Sequence, residues 1–278
     1  MSEAFYNAKN LTVSNGFVRN PDRYYLEEYF NQKPALNADI QNSAEGTRMI
    51  ANRNFEVLGA NMTTALSTFN TEGGVIITTA GDDQDQAIIA PHLGTDQSSW
   101  TSTKWGSDNQ VEWACAIRLP AIDNQKVWAG LKLTNSADQL IATDDDQAFF
   151  KFQTDSDNSE TFTDFSKLHF IYSKAGTDYI SQLPITVAAN TNYKLRISID
   201  SSRYVRIFVN GTQYNITTTA GSTGGTEVTA GTTSSKQLED TIDFIPYIGI
   251  EAGDATSGAT SGAEALHVFY QKMSRALP

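Results

Sequence analysis

Apolar and polar residues alternate most regularly between Tyr193 and Thr217, in the sequence YKLRISIDSSRYVRIFVNGTQYNIT. A period of two places successive side chains on opposite faces of a strand, so this segment predicts strands with one buried face. Asn210-Gly211 supplies the pair of positive-φ residues that a two-residue hairpin turn requires. The segment therefore predicts an antiparallel β-meander. Its inward-facing residues are expected to be Tyr193, Leu195, Ile197, Ile199, Val205, Ile207 and Val209.

The same period of two recurs from Phe55 to the end of the chain and predicts further strands. The twelve predicted strands cover residues 74–79, 86–91, 111–119, 127–134, 147–153, 167–173, 185–188, 193–200, 204–210, 213–219, 241–251 and 265–273. So many strands exceed one flat open sheet, whereas two packed sheets can bury their alternating apolar faces. The pattern therefore predicts one β-sandwich over residues 55–278.

Residues 1–54 differ from the rest of the chain, and a short helix is predicted near residues 21–32. Asn20 is a good N-cap, Pro21 fits the first helical position, and Pro34 ends the helix. Because so short a helix is not stable alone, it either packs onto its own domain or belongs to an arm that docks on another subunit. Deleting the arm is expected to leave a folded sandwich. The aromatic residues expected to bind a partner are Phe5, Tyr6, Phe17, Tyr24, Tyr25, Tyr29 and Phe30.

Two low-complexity segments interrupt the strands. Residues 217–235 are rich in Thr, Gly and Ser, and residues 253–263 contain the sequence Ala-Thr-Ser-Gly twice. Since neither composition can build a core, both segments are predicted to be surface loops.

Two sets of sequence phrases resemble known families. The phrases NYKLRISID and RYVRIFVNGTQ resemble a strand-turn-strand element of concanavalin A-like jelly rolls, the superfamily of lectins, laminin-G domains and glycosidase sandwiches. The phrases TDDDQAFFKF, WAGLKLTN and KWGSDNQVEWACAIRL resemble structural proteins of tailed marine bacteriophages, over roughly Phe55 to Met273. The resemblance implies an all-β, concanavalin A-like jelly-roll sandwich of two antiparallel sheets and a structural role in a virion.

The sequence lacks the catalytic motifs of that superfamily. Its glycosidases carry two carboxylates near E-x-D-x-x-E, and the most similar text here, from Glu239 to Asp243, lacks that spacing and the final Glu. Polysaccharide lyases of similar shape use a Gln/His and Arg/Tyr set. His92, His169 and His267 lie in three separate segments with no shared motif, so each is predicted to be structural. The chain is therefore predicted not to be an enzyme.

Composition restricts the partners of the chain. Twenty Lys and Arg residues against 32 Asp and Glu give a net charge of −12, which repels nucleic acid. No apolar run approaches the ~18 residues of a membrane helix, and the first residues do not form a secretory signal. Cys115 alternates with Trp113 and Ile117 and is predicted to be a core residue. The protein is expected to be made in the host cytoplasm and to have no membrane partner.

Two acidic turns are candidate calcium sites. Asp83 and Asp85 precede one predicted strand, and Asp144 and Asp146 precede another. Clustered carboxylates supply the oxygen ligands that Ca²⁺ prefers, although the spacing does not match an EF-hand. The alternative is that these acids end the turns and block pairing between sheet edges.

Two tryptophans are candidate sugar-binding residues. Trp100 and Trp105 flank the polar sequence Thr-Ser-Thr-Lys, where an exposed ring could stack on a surface glycan. The alternative is that both rings close the end of the sandwich.

The function predicted from these observations is decoration of a phage capsid. The sandwich would lie on the outer surface of the virion, and the arm would contact the major capsid protein and other copies of the chain, with a homotrimer as the preferred assembly. A competing class is a carbohydrate-binding module of a tail fibre or adhesin. A third class is a divergent glycan hydrolase.

Overall fold

The computed structural model describes residues 22–36, 55–91, 105–133, 145–154, 162–253 and 262–277. This part of the chain is almost entirely β-structure, with two single-turn 3-10 helices at Thr64–Leu66 and Ser107–Asn109. Neither of these helices is long and apolar enough to cross a membrane. The predicted all-β sandwich is confirmed.

Seventeen strands follow one another along the described residues. In chain order they are β1 (Arg23–Glu28), β2 (Ala35–Leu36), β3 (Phe55–Leu58), β4 (Ser67–Phe69), β5 (Val75–Thr78), β6 (Gln86–Pro91), β7 (Glu112–Arg118), β8 (Gln125–Lys132), β9 (Gln147–Gln153), β10 (Lys167–Lys174), β11 (Thr177–Thr186), β12 (Asn192–Ile199), β13 (Val205–Val209), β14 (Thr212–Tyr214), β15 (Gly221–Glu227), β16 (Ile245–Ala252) and β17 (Ala265–Ala276).

These strands form two sheets. The eight-stranded sheet has the order β14-β13-β12-β7-β17-β5-β4, and β1 also pairs with β17. The nine-stranded sheet has the order β15-β11-β10-β9-β8-β16-β6-β3-β2. Among the described strands, only the pairs β2–β3 and β11–β15 are parallel. Neighbours that are distant in sequence, such as β7 and β17, join the two halves of the chain.

The main core lies between the two sheets. The inward faces of β7, β12 and β13 are buried there, as the alternating pattern predicts. Cys115 is fully buried in this core, and burial raises the pKa of its thiol well above the ordinary value. The prediction that Cys115 is a small core residue, remote from thiolate chemistry, is confirmed.

The nine-stranded sheet is buried on both faces. Every residue of β8, β9 and β16 is buried, including those that alternate away from the main core. A second apolar cluster covers part of the outer face of this sheet and includes Trp128, Phe149 and Tyr247. Both apolar and polar side chains therefore lie on a face that the sequence pattern alone predicts to be solvated.

The predicted helix near residues 21–32 is wrong, because Arg23–Glu28 forms strand β1. It pairs antiparallel with the last six residues of β17, from Arg23 opposite Ala276 to Glu28 opposite Gln271. The long edge of β17 satisfies the backbone groups of this segment, whereas an isolated short helix gains too little. Leu36 similarly pairs with Val57 of β3. Whether residues 1–54 form an arm distinct from a 55–278 sandwich stays a prediction.

Most other differences concern strands that lack alternation. β3, β4 and most of β11 were not expected, and β15 lies inside the Thr/Gly/Ser-rich segment that was predicted to be a loop. β11 forms a hairpin with β10 and also binds β15 in parallel. A segment with weak propensity can thus form a strand because its neighbour offers free backbone groups.

Candidate functional site

The candidate site is the outer face of the nine-stranded sheet. In β8, Val127, Ala129 and Leu131 point into the main core, so the side chains between them point the other way. The corresponding residues of the neighbouring strands extend this face through register. We call it the polar face and define it by Lys126, Trp128, Lys132, Gln147, Lys151, Gln153, His169, Gln182, Tyr247 and Glu251.

Three buried lysines lie on the polar face. Lys126, Lys132 and Lys151 are 4%, 1% and 1% exposed. The ammonium group of Lys126 forms an ion pair with the Glu251 carboxylate, which also accepts a 2.6 Å hydrogen bond from the Gln86 amide. Burial, together with the charges of Lys126 and Lys132, lowers the pKa of Lys151 to about 7, while Glu251 opposes the shift.

His169 lies in the same row of the sheet as Lys151 and Gln182, which are its partners on β9 and β11. The imidazole is completely buried, and the ring of Phe162 stacks on it with a centroid separation of 3.9 Å. Burial lowers the pKa of His169 to about 4, with Gln182 and Asp164 opposing, so the ring is neutral near pH 7.

Aromatic rings lie beside the lysines. Trp128 stacks on Tyr247 with ring centroids 5.8 Å apart, and Lys132 Nζ lies 4.9 Å from the Tyr247 ring centroid. Gly249 makes room for the indole, because a Cβ there would come within 2.5 Å of Trp128 Cζ2. The glycine therefore lets the tryptophan lie flat across β16.

The polar face combines ammonium, amide, imidazole, carboxylate and aromatic groups. Such a mixture of convergent polar groups and rings is typical of sites that bind small polar molecules and sugars. Glu251 and Glu56 are four residues apart in register along β6, or about 13 Å. Because a glycosidase pair requires ~5–9.5 Å, these two carboxylates do not form one. The sheet instead places His169 and Gln182 side by side on neighbouring strands.

The described aspartates among those predicted to bind calcium, Asp83, Asp85 and Asp146, do not meet in one site. The first residue of β6 shares a row with the last residue of β9, so the turns before these strands lie at opposite ends of the sheet. Asp85 accepts a 2.6 Å hydrogen bond from Asn61, burial raises the pKa of Asp146, and Asp83 is exposed. Asp144 lies outside the described residues. Within those residues no group of three metal-ligating side chains occurs, and calcium at either single turn stays a prediction.

The prediction that the Trp105 ring is exposed and could stack on a sugar is wrong, because this ring is buried. This ring is 2% exposed, belongs to the main core and lies 5.6 Å from the ring of Tyr24. It therefore cannot stack on a sugar as it stands, and the alternative that it closes the end of the sandwich fits its position. Trp100 lies outside the described residues.

The aromatic residues predicted to bind a partner differ in their exposure. Phe30 is 1% exposed and packs on Phe55 in the main core, so it is not a free anchor. Tyr24 and Tyr29 remain exposed on β1 and just after it, and Tyr25 is half-buried. The remaining predicted anchors, Phe5, Tyr6 and Phe17, lie outside the described residues.

His267 lies on the eight-stranded sheet, away from the polar face. His267 Nδ1 lies 2.9 Å from an Arg118 nitrogen, and Arg118 also binds Glu72 at 2.6 Å on the outer face of the eight-stranded sheet. This arrangement is consistent with the predicted structural role. His92 lies outside the described residues.

No protein-family model matches the chain, and no curated protein matches it. Solved structures with the same fold include a β-glucanase of Bacillus licheniformis, at 12% identity and a TM-score of 0.51 over 92% of this chain and 99% of that chain. A pseudo-β-1,3-glucanase and immunostimulatory antigen of Mycobacterium tuberculosis has 8% identity and a TM-score of 0.52, over 90% and 98%. A double variant of alginate lyase A1-II' has 13% identity and a TM-score of 0.50, over 81% and 95%.

These similarities establish the concanavalin A-like jelly-roll fold. At such identities they show the fold alone, and the bacteriophage part of the resemblance gains no support from them. The prediction that the chain is not an enzyme is nevertheless overturned, because glycosyl hydrolases and an alginate lyase share its fold. The prediction excluded enzymatic activity because a catalytic sequence motif was lacking. Carbohydrate-active proteins nevertheless share this fold.

Sequence reasoning missed the polar face almost entirely. The one available signal was in β8, where Lys126, Trp128 and Lys132 alternate with core residues. In the sequence, Trp128 has the opposite parity to the core residues of β8, which fits either an exposed ring or a second buried face, and the structure shows a second buried face. The partners on β9, β10, β11 and β16 become visible only through sheet register.

Proposed function

We propose that this protein is a carbohydrate-active protein that binds a polysaccharide on the polar face, whose buried side chains become accessible when the residues that cover them move away. The carrying observation is that one sheet face gathers Lys126, Lys151, His169 and the Trp128–Tyr247 pair from four strands. The shared fold of a glucanase and an alginate lyase supports the same class of ligand.

The energetic argument concerns the free energy of burying the polar and charged side chains of this face, which a functional role would explain. Burying polar and charged groups costs free energy even when they are paired, and an apolar layer of similar volume is often as stable. Titratable groups with strongly shifted pKa values cluster at functional sites. Lys151 and His169, which are neighbours across two strands, both have strongly lowered pKa values.

Binding to a panel of neutral and acidic polysaccharides tests this function. Affinity electrophoresis and calorimetry should show saturable binding to at least one polymer, and Trp128→Ala and Lys151→Met should each weaken it. Lys194→Met is the matched control, because Lys194 is an exposed lysine of β12 on the other sheet. Failure of every polymer to bind the folded protein, or equal binding by all variants, would contradict the proposal.

Turnover is measured on the same polymers, because hydrolases and a lyase share the fold. Released reducing ends or unsaturated products from wild-type protein, reduced in His169→Gln, would make the chain an enzyme. Binding without products would assign it the role of a binding protein.

Decoration of a bacteriophage head is a second candidate, favoured by the exposure of Tyr24 and Tyr29 at 38% and 45%. Exposed tyrosines are enriched in protein interfaces. In this function the protein would lie on the capsid surface and bind the major capsid protein, as a homotrimer. A Tyr24→Ser/Tyr29→Ser double variant should then lose co-sedimentation with particles, and unchanged occupancy would argue against it.

A further inference from the structure

We propose that Asp123, Gln125 and Glu264 bind a calcium ion at one end of the sandwich. We call these three residues the end site. The inference goes beyond the proposed function and does not depend on it, because the end site lies between the sheets and not on the polar face. It also differs from the two acidic turns, since neither Asp83 nor Asp85 belongs to it.

The backbone places Glu264 at the end of the sandwich where the loop between β7 and β8 crosses from one sheet to the other. The Glu264 N–H donates a 2.9 Å hydrogen bond to Thr79 Oγ1, and the Thr79 N–H donates one of 2.9 Å to the Glu264 carbonyl oxygen, which continues the β5–β17 ladder by one residue. Leu266 points into the main core, so alternation directs the Glu264 side chain to the same side. Because Arg118 lies opposite His267, the residues just after β7 and just before β17 meet at this end.

The loop between β7 and β8 carries Asp123, whose carboxylate interacts with that of Glu264. Glu264 is half-buried, and burial, followed by the negative charge of Asp123, raises its pKa to about 7. Neither carboxylate takes part in an ion pair with a lysine, arginine or histidine among the residues that the structure describes. Two carboxylates therefore repel each other at this end, and no described side chain compensates their charge.

Gln125, the first residue of β8, provides an independent observation. It is completely buried, and because Val127 of the same strand points into the main core, the Gln125 side chain also points inward. Its amide nitrogen donates a 2.7 Å hydrogen bond to the Ala121 carbonyl oxygen, which places the amide group under the loop that carries Asp123. Gln125 Oε1 has no hydrogen-bond partner within the described part of the chain. A buried acceptor without a partner is rare in folded proteins, and a bound water or ion is an established explanation.

One divalent cation accounts for both the carboxylate pair and the unpartnered amide oxygen. A proton on Glu264 would remove the repulsion between the carboxylates, but it would leave the Gln125 oxygen without a partner. A water molecule could donate to that oxygen, but it would leave two negative charges uncompensated. A divalent cation binds all three oxygen donors and balances both charges.

The chemistry of the donors favours calcium among the divalent cations. The end site offers oxygen atoms only, from two carboxylates and one amide, so it is not a group of three Asp, Glu, His or Cys ligands. Ca²⁺ prefers such oxygen ligands in flexible geometry and completes its coordination with backbone carbonyls and waters, whereas Mg²⁺ requires near-ideal octahedral geometry and Zn²⁺ favours nitrogen and sulfur. Because only two ligands are charged, we expect a dissociation constant of roughly 10⁻⁴–10⁻³ M.

Calorimetric titration and thermal unfolding of the full-length protein test this site after a chelator has removed divalent cations. Calcium chloride should bind with the expected affinity and raise the melting temperature, because the ion binds only the folded state. Magnesium chloride should bind more weakly. Absence of a calcium effect would refute the end site and would leave the proposed polysaccharide binding unaffected.

Variants assign the effect to the three side chains. Glu264→Gln, Asp123→Asn and Gln125→Met should each weaken calcium binding by about tenfold. Glu264→Gln also removes one of two repelling carboxylates, so in the absence of calcium it should be at least as stable as the wild type. Loss of binding in a variant of that stability cannot result from unfolding.

Asp83→Asn is the matched control, because Asp83 is an exposed carboxylate of the acidic turn before β6. Calcium binding should be unchanged in this variant. Loss of the calcium effect in Asp83→Asn, with the effect retained in Glu264→Gln, would assign the ion to the turn and refute the end site. Unchanged binding in Gln125→Met would remove the buried amide from the site and would also overturn the inference.

Discussion

At the scale of single residues, burial determines the chemistry of the polar face. Lys151 and His169 face each other across β9 and β10, and desolvation is the main cause that lowers the pKa of both. Burial disfavours the charged form of a base, so the imidazole is neutral near pH 7 and the ammonium group titrates there. Each shift makes the free energy of unfolding depend on pH between the unfolded and the folded pKa of the group. These limits are 10.5 and about 7 for Lys151, and 6.5 and about 4 for His169.

Lys151→Met should stabilise the protein below pH 7 and remove part of its pH dependence. The pKa of Lys151 falls from 10.5 in the unfolded chain to about 7 in the folded one. Between these values the unfolded chain binds more protons, so the stability of the wild type rises with pH. Urea unfolding at intervals between pH 7 and pH 10.5 should show a smaller rise in the variant. Identical slopes for both proteins would mean that Lys151 stays charged when folded.

His169→Phe should reduce the loss of stability in acid. The pKa of His169 falls from 6.5 to about 4 on folding, so its contribution to stability is lost as the pH decreases between these values. Phenylalanine can stack on Phe162 and cannot be protonated. Thermal unfolding at intervals across this window should show a shallower decline for the variant, with His267→Phe as a control for a half-buried histidine.

At the scale of secondary-structure elements, β1 decides how the N-terminal region is attached. Its pairing with β17 covers the part of the β17 edge that lies beyond β5. An uncovered edge of this kind promotes aggregation. Removal of residues 1–54 is therefore expected to destabilise the protein, contrary to the prediction from sequence that a folded sandwich would remain.

Phe30→Ala tests this attachment without truncation. Phe30 is 1% exposed and packs on Phe55, so its removal should lower the free energy of unfolding by about 3–5 kcal/mol. Tyr29→Ala changes its neighbour, which is 45% exposed, and should cost much less. Equal, small effects in denaturant melts would indicate that the N-terminal region is only loosely attached to the core.

At the scale of the whole molecule, one apolar core joins both sheets. Ile197 on the eight-stranded sheet and Phe150 on the nine-stranded sheet belong to the same cluster. A shared core implies that the two sheets unfold together as one cooperative unit.

Ile197→Ala and Phe150→Ala should therefore each lower the stability of both sheets. The expected cost is about 2–5 kcal/mol for each, from lost transfer free energy and the cavity that remains. Tryptophan fluorescence and far-ultraviolet circular dichroism should report coincident transitions in both variants. Two separate transitions in either variant, or a cost below ~0.5 kcal/mol, would contradict a single shared core.

The sequence by itself determined the fold class and the inward faces of the regular strands. Short apolar runs defined β6 and β9 to the residue, and alternation, which is a local property, placed Cys115 and Ile197 in the core. Where alternation is absent, as in β11 and β15, the strands could not be predicted, because their neighbours supply the hydrogen bonds that stabilise them.

Only the tertiary structure decided the candidate site. The polar face draws its residues from β8, β9, β10, β11 and β16, and the register of these strands brings Lys151, His169 and Gln182 into one row. Register depends on pairing between distant parts of the chain, which a local pattern does not encode. The second buried face has the same origin, since burial of Trp128 follows from packing of the folded sheet and not from its neighbours in sequence.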